Sequence, residues 1–141
     1  MTSLKPFSGS PSQTRILLSI KSQYATAIIS GVKKYEFRRT IFSRQVDVVL
    51  LYVSAPVRRV VAEFDVLSVI SEPLPTLWKK TGRYAGIDKT SFLNYFKGHD
   101  IGHAIKIGDV RKYNEPFCPV KELGLRPPQS FSYLGPLIEG R

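Results

Sequence analysis

The run Val46-Asp47-Val48-Val49-Leu50-Leu51-Tyr52-Val53-Ser54 constrains the fold more than any other stretch of this chain. Its apolar residues are nearly continuous, and most are β-branched or aromatic, as in a strand covered on both faces. Pro56 ends it, because proline cannot donate to a sheet ladder. A central strand needs partners. Arg15 to Ile20 reads as a second buried strand, Lys34 to Arg39 as a third, Val60 to Ile70 as a fourth and His103 to Val110 as a fifth. In the fourth, Ala62, Phe64 and Val66 fall on one face and Glu63 and Asp65 on the other. Pro73 and Pro75 break it.

Helical spacing appears between these strands. Ser22 to Ser30 places Tyr24, Ala27 and Ile28 on one face, with Ser22 as N-cap. Gly31 follows as the residue that takes positive φ and ends the helix. Thr76 to Thr81 is a short helix. Asp88 to Phe96 is another, capped by Asp88 and stopped at Gly98. From Tyr113 the tail reads as irregular, with Pro116, Pro119, Pro127 and Pro128. The predicted fold class is α+β, a small, mostly antiparallel β-barrel of about five to six strands with two to three short helices.

A chain of 141 residues is one domain by length and can bury a core without staples. Residues 1–14, rich in Ser, Pro and Gly, are expected to be disordered. The domain then spans 15–134, followed by a tail at 135–141. Ile138-Glu139-Gly140-Arg141 matches a protease-cleavage linker and is set aside. One cysteine, Cys118, makes no internal disulfide and suits a reducing cytosol. No secretory or membrane-spanning run is evident. The expected location is cytoplasmic, without membrane contact.

The net charge is +10, and seven of those charges fall between Arg15 and Arg59. That stretch holds Arg15, Lys21, Lys33, Lys34, Arg38, Arg39, Arg44, Arg58 and Arg59 against Glu36 and Asp47 alone. Such a patch is the footprint of a polyanion binder, or simply a solvated basic surface. Its densest part is Lys33-Lys34-Tyr35-Glu36-Phe37-Arg38-Arg39, just after Gly31. Strict alternation puts Lys34, Glu36 and Arg38 on one face and Tyr35 and Phe37 on the core side. Lys33 then faces inward, or lies in the turn. A lysine becomes a base or nucleophile only when burial or nearby cations lower its pKa. Glu36 is its natural partner. The bland alternatives are a structural ion pair and a phosphate clamp, for which the arginine fork is well shaped.

His99, Asp100 and His103 approach a metal-ligand spacing. Gly98, Gly102 and the strand that follows do not force the rings together, so no metal or other cofactor is expected. Trp78, Tyr84, Phe92, Tyr95 and Phe96 read mainly as helix core, with one of them a candidate for stacking on a base. No phosphate loop, dinucleotide fingerprint or serine elbow occurs.

Gly31-Val32-Lys33-Lys34-Tyr35-Glu36-Phe37-Arg38 resembles the G-x-K-x-x-E-x-R signature of ASCH domains, relatives of the PUA and EVE folds. Val48 to Val57 and Pro127 to Leu134 are similar to the same family. The resemblance implies a PUA-like barrel with a cleft beside the first helix. It implies RNA binding or, in some members, chemistry on RNA or modified nucleosides. Lys33, Glu36 and Arg38 fall on its cleft positions. Ser19, Lys21, Tyr52, Ser54, Gln129, Ser130 and Tyr133 are expected at the border, and Lys21, Lys33, Lys34, Arg38, Arg39, Arg58 and Arg59 to bind nucleic acid. The bacterial N4-acetylcytidine amidohydrolases of this group carry threonine where this chain has Glu36, and a glutamate where it has the cap-like Asp88.

The expected function is therefore recognition of RNA, single-stranded nucleic acid or a nucleoside-sized ligand, in RNA metabolism or translation-linked regulation. The alternative is a hydrolase, either a ribonuclease or a modified-cytidine amidohydrolase, with Lys33 and Glu36 catalytic. A third reading is an adaptor that offers the same patch to an acidic protein.

Overall fold

A computed structural model describes the backbone of residues 2–4 and all of residues 12–135. Seven strands form one curled mixed sheet: β1 (Thr2–Leu4), β2 (Arg15–Ile20), β3 (Tyr35–Arg38), β4 (Val48–Val53), β5 (Arg59–Pro73), β6 (Ile101–Phe117) and β7 (Phe131–Tyr133). Their order is β1-β6-β5-β4-β2-β7, with β3 also paired to β6. The pairs β1–β6 and β2–β4 are parallel and the others antiparallel. The helices are α1 (Ser22–Ser30), α2 (Leu74–Thr81), α3 (Lys89–Tyr95) and α4 (Pro119–Leu123), with a 3₁₀ turn at Gly82–Tyr84. The result is an α+β, PUA-like half-barrel.

The continuous apolar run becomes β4, buried at every position between β2 and β5. Period two divides it between two cores. Val49, Leu51 and Val53 join Ile16, Leu18, Ile20, Phe64 and the α1 residues Ala25 and Ile28. Val48, Leu50 and Tyr52 join Leu17, Val60, Tyr113 and Phe117 on the opposite face. A third cluster packs Phe37 of β3 against Leu77, Ala85, Phe92, Phe96 and Ala104.

The hairpin of β5 and β6 is long, and it bends. Register shifts fall between Val60 and Ala62, between Phe64 and Val66, and between Val66 and Ser68. Each extra residue kinks a strand and increases its twist. The first half of β6 accepts β3 on its free side, and Arg111–Tyr113 accepts β1. The connection between β5 and β6 carries α2, the 3₁₀ turn and α3, which cover Phe37.

Several expectations are corrected. β6 continues to Phe117 rather than ending near Val110, because Tyr113 and Phe117 are buried in the second core. The proline-rich tail holds α4 and β7, and β7 pairs with β2. Lys21, not Ser22, is the N-cap of α1, without a side-chain bond. Thr2–Leu4 forms a short strand beside β6. The linker-like residues 138–141 lie outside the described residues. Gly31 takes φ +87° at the end of α1, and Asp88 caps α3 by accepting the Ser91 N–H at 2.7 Å, both as expected. No helix among the described residues is long and apolar enough to cross a membrane.

Phe92 joins these layers. It is fully buried, with ring centroids 5.1 Å from Phe37, 5.0 Å from Trp78 and 5.0 Å from Phe96. Phe92→Ala is expected to cost about 3–5 kcal/mol. Urea unfolding monitored by Trp78 fluorescence checks this, and a loss under about 1 kcal/mol contradicts the packing role.

Candidate functional site

A cleft of about 350 Å³ opens between the end of β2, the start of α1, β3 and the segment entering α3. Lys33 lies at its base. It is in the turn between α1 and β3, where its N–H donates to the Ala27 carbonyl at 3.0 Å. This resolves the alternation conflict, since Lys33 is not part of the strand. Its side chain is only 2% exposed. The ammonium donates to the Ala85 carbonyl at 2.6 Å and lies 4.0 Å from Glu36 Oε1. It is also 4.8 Å from the Phe37 ring centroid and 5.3 Å from that of Tyr24, within cation–π range. Gly86, at φ +69°, packs on the lysine stem; a Cβ there would come within 2.6 Å of Lys33 Cβ. Glycine is needed at this position for both its conformation and its bareness.

Glu36 is buried and accepts from Arg38 Nη1 at 3.1 Å. Arg38 Nη2 donates to Ser130 Oγ at 2.6 Å, and Nη1 reaches the Ser19 carbonyl at 3.5 Å. Arg38 Nε is buried and has no hydrogen-bond partner among the described residues. Cation, carboxylate and cation thus stand in a row, Lys33–Glu36–Arg38. Burial lowers the pKa of Lys33 below its ordinary value, while the Glu36 charge opposes the shift. A lysine so placed reaches its neutral form more readily than a surface lysine.

Lys21, Ser19, Ser54, Arg39 and Gln129 also line the cleft. Ser19 Oγ donates to the Pro128 carbonyl and Ser54 Oγ to the Ile20 carbonyl, so both are turned partly to structure. Arg39 lies 4.7 Å over the Tyr95 ring. Ser130 acts through Arg38 and does not line the cleft. Two further expected border residues lie elsewhere. Tyr52 is buried in the second core, because period two sends it with Leu50 to the other face. Tyr133 lies under Arg44, 3.6 Å from its guanidinium carbon, and its hydroxyl accepts from the N–H groups of Ser43 and Arg44. Lys34 points outward, toward Tyr84. Arg58 and Arg59 are exposed at the β4–β5 turn, apart from the cleft. His103 shares a 2.7 Å hydrogen bond with Ser71, and no group of three metal-ligating side chains occurs among the described residues.

Sequence reasoning missed Tyr24, Ile87 and Ser91 as cleft walls, and the Ala85 carbonyl as the partner of Lys33; Tyr95, one of the five aromatics weighed for stacking, also lines the cleft. Gly86 was the available signal, a glycine just before a capped helix. The carbonyl has none, since every residue carries one. Asp88 caps α3, and Glu36 is the one carboxylate lining the cleft among the described residues.

The lowered pKa of Lys33 has a pH signature. The folded protein releases this proton at lower pH than the unfolded chain, so stability rises as pH climbs through the folded value toward 10.5. Denaturant unfolding of wild type and Lys33→Met between about pH 7 and about pH 9.5 should show wild type gaining relative to the variant. Parallel curves would contradict the shift.

A sequence profile described as ASCH domain matches residues 18–117. An ASCH domain-containing ribonuclease of Zymomonas mobilis is 28% identical over 132 residues, covering 88% of this chain and 86% of that protein. The crystal structure of ASCH from Zymomonas mobilis superposes with a TM-score of 0.77 at 26% identity, over 85% of this chain and 87% of that one. A segment of the ATP synthase subunit alpha of Ureaplasma parvum is 32% identical over 120 residues, 84% of this chain; the chain spans only 15% of that protein's length.

Proposed function

The chain belongs to the ASCH domain family, and from that premise we propose that its cleft binds one nucleotide of a single-stranded RNA. The observation that carries this reading is the buried row Lys33–Glu36–Arg38 at the base of a nucleoside-sized cleft. Ligand pockets of a few hundred Å³ combine apolar walls with a few convergent polar groups. Here Tyr24, Phe37, Ile87 and Tyr95 supply walls for a base. Glu36 offers a carboxylate to an exocyclic amine. Arg38, which lines the cleft, offers its guanidinium charge to a phosphate or carbonyl oxygen. Lys21 and Arg39, both exposed, meet the flanking phosphates.

A second reading, RNA hydrolysis, is favoured by the lowered pKa of Lys33 and by the ribonuclease name of the Zymomonas relative. Neutral Lys33 would take the proton from a ribose 2′-hydroxyl. The 2′ oxygen would bond to phosphorus while the P–O5′ bond breaks. The departing oxygen would take a proton from water, and Lys33 would return its proton to the hydroxide so formed, leaving a 2′,3′-cyclic phosphate and a 5′-hydroxyl. Arg38 would offset charge on the phosphoryl oxygens. Amide hydrolysis on a modified cytidine is disfavoured, because Asp88 is occupied as a helix cap.

RNA affinity should fall steeply with salt, by about fivefold per decade of salt for each phosphate neutralised on a single strand. Arg38→Ala should weaken a fluorescent oligoribonucleotide at least about tenfold. Anisotropy titrations at two salt concentrations check both, and a salt-independent affinity overturns phosphate contact. Lys33→Ala separates the readings. Lost cleavage with affinity within a few-fold of wild type assigns Lys33 to chemistry; lost affinity without any cleavage by wild type assigns it to binding.

A further inference from the structure

Tyr84 is a large aromatic left at the surface, 42% exposed, outside the cleft. Two cations flank its ring: Arg83, with its guanidinium carbon 5.5 Å from the centroid, and Lys34, with its ammonium at 5.9 Å. Both stand over the ring at the long end of cation–π range. The backbone that carries the ring is held. The Tyr84 carbonyl accepts the Lys34 N–H at 2.8 Å, and the Ala85 N–H bonds the Gly82 carbonyl at 3.4 Å. The turn follows α2, whose Trp78 packs 5.0 Å from the buried Phe92.

The same short segment reaches the cleft. Ala85 holds the Lys33 ammonium, and Ile87 lines the cleft wall. Ile87 lies three positions after Tyr84, at most about 10 Å of chain. Consecutive lysines therefore point to opposite sides of one ridge, Lys33 into the cleft and Lys34 out toward Tyr84. The next carboxylate along the chain, Asp88, is engaged by the Ser91 N–H.

We infer that Tyr84, with Lys34 and Arg83, is a second nucleotide subsite, which stacks a base flanking the one in the cleft and holds its phosphates. It rests on the RNA reading of the cleft and extends it, making the ligand a strand of several nucleotides rather than a free nucleoside. Stacking of this kind is sequence-tolerant, because every base has a π-face.

The test is anisotropy binding of a labelled pentaribonucleotide, alongside calorimetry with a nucleoside 5′-monophosphate, for wild type, Tyr84→Ala, Tyr84→Phe and Arg38→Ala. Tyr84→Ala should weaken the pentanucleotide about tenfold or more, and Tyr84→Phe should restore it, since the π-face and not the hydroxyl is used. The monophosphate should bind Tyr84→Ala as it binds wild type. Lys34→Ala and Arg83→Ala should each reduce the salt slope by about 0.7. Wild-type affinity of Tyr84→Ala, with Arg38→Ala weakened, overturns the subsite and spares the cleft. The converse pattern overturns the cleft and leaves the surface site standing. Equal loss of the monophosphate by Tyr84→Ala also overturns the subsite, because it marks a structural effect.

Discussion

An ammonium group withdrawn from water ties the functional face together. Removing a charge from solvent costs several kcal/mol unless other groups replace the lost hydration. For Lys33 those groups are the Ala85 carbonyl, the Glu36 carboxylate and the faces of Tyr24 and Phe37. Each comes from a different place: α1 gives Tyr24, β3 gives Glu36 and Phe37, and the segment before α3 gives Ala85. The lysine is therefore held only when all three are assembled. Gly86 completes the arrangement, since any side chain there would occupy the space of the lysine stem.

That assembly depends on the bent hairpin. A flat pair of strands as long as β5 and β6 would leave β3 and the helical connection far from α1. Three register shifts curl the hairpin, so that β3 can pair with the first half of β6 while α2 and α3 fold over Phe37. Phe37 then belongs to the third core and also lines the cleft. The cleft lies at a seam between two cores, where neither fills the space.

Local signals made much of this legible. The unbroken apolar run meant burial on both faces, Asp88 read as a cap, and Ala62 and Phe64 separated from Glu63 and Asp65 by period alone. The two carboxylates do share a face, where Arg111 bonds both. Non-local partners were not legible. Ser130 reaches Arg38 across ninety-two residues, and β7 lies in a proline-rich tail whose composition hides its pairing with β2. Tyr52 misled for a related reason. Its segment matched the family pattern, but the pleat decides which face each residue meets, and Tyr52 shares its face with Leu50.

Under the proposed RNA reading, the row Lys33–Glu36–Arg38 also divides the labour of binding. A carboxylate between two cations leaves one net positive charge in the base of the cleft, little more than a single surface lysine would carry. Attraction for a polyanion must then come chiefly from outside, from Lys21, Arg39 and the cations around Tyr84, which remain in water and are free to exchange counterions. The buried row is suited to a different task. Its donors and acceptor are fixed by Ser130, Ser19 and Ala85, so a ligand group that fails to match them leaves a buried polar atom unpaired, at a cost of about 1–3 kcal/mol. Arg38 Nε already stands in that condition. In the proposed binding mode the rim would therefore set how tightly RNA is held, and the interior which nucleotide is accepted.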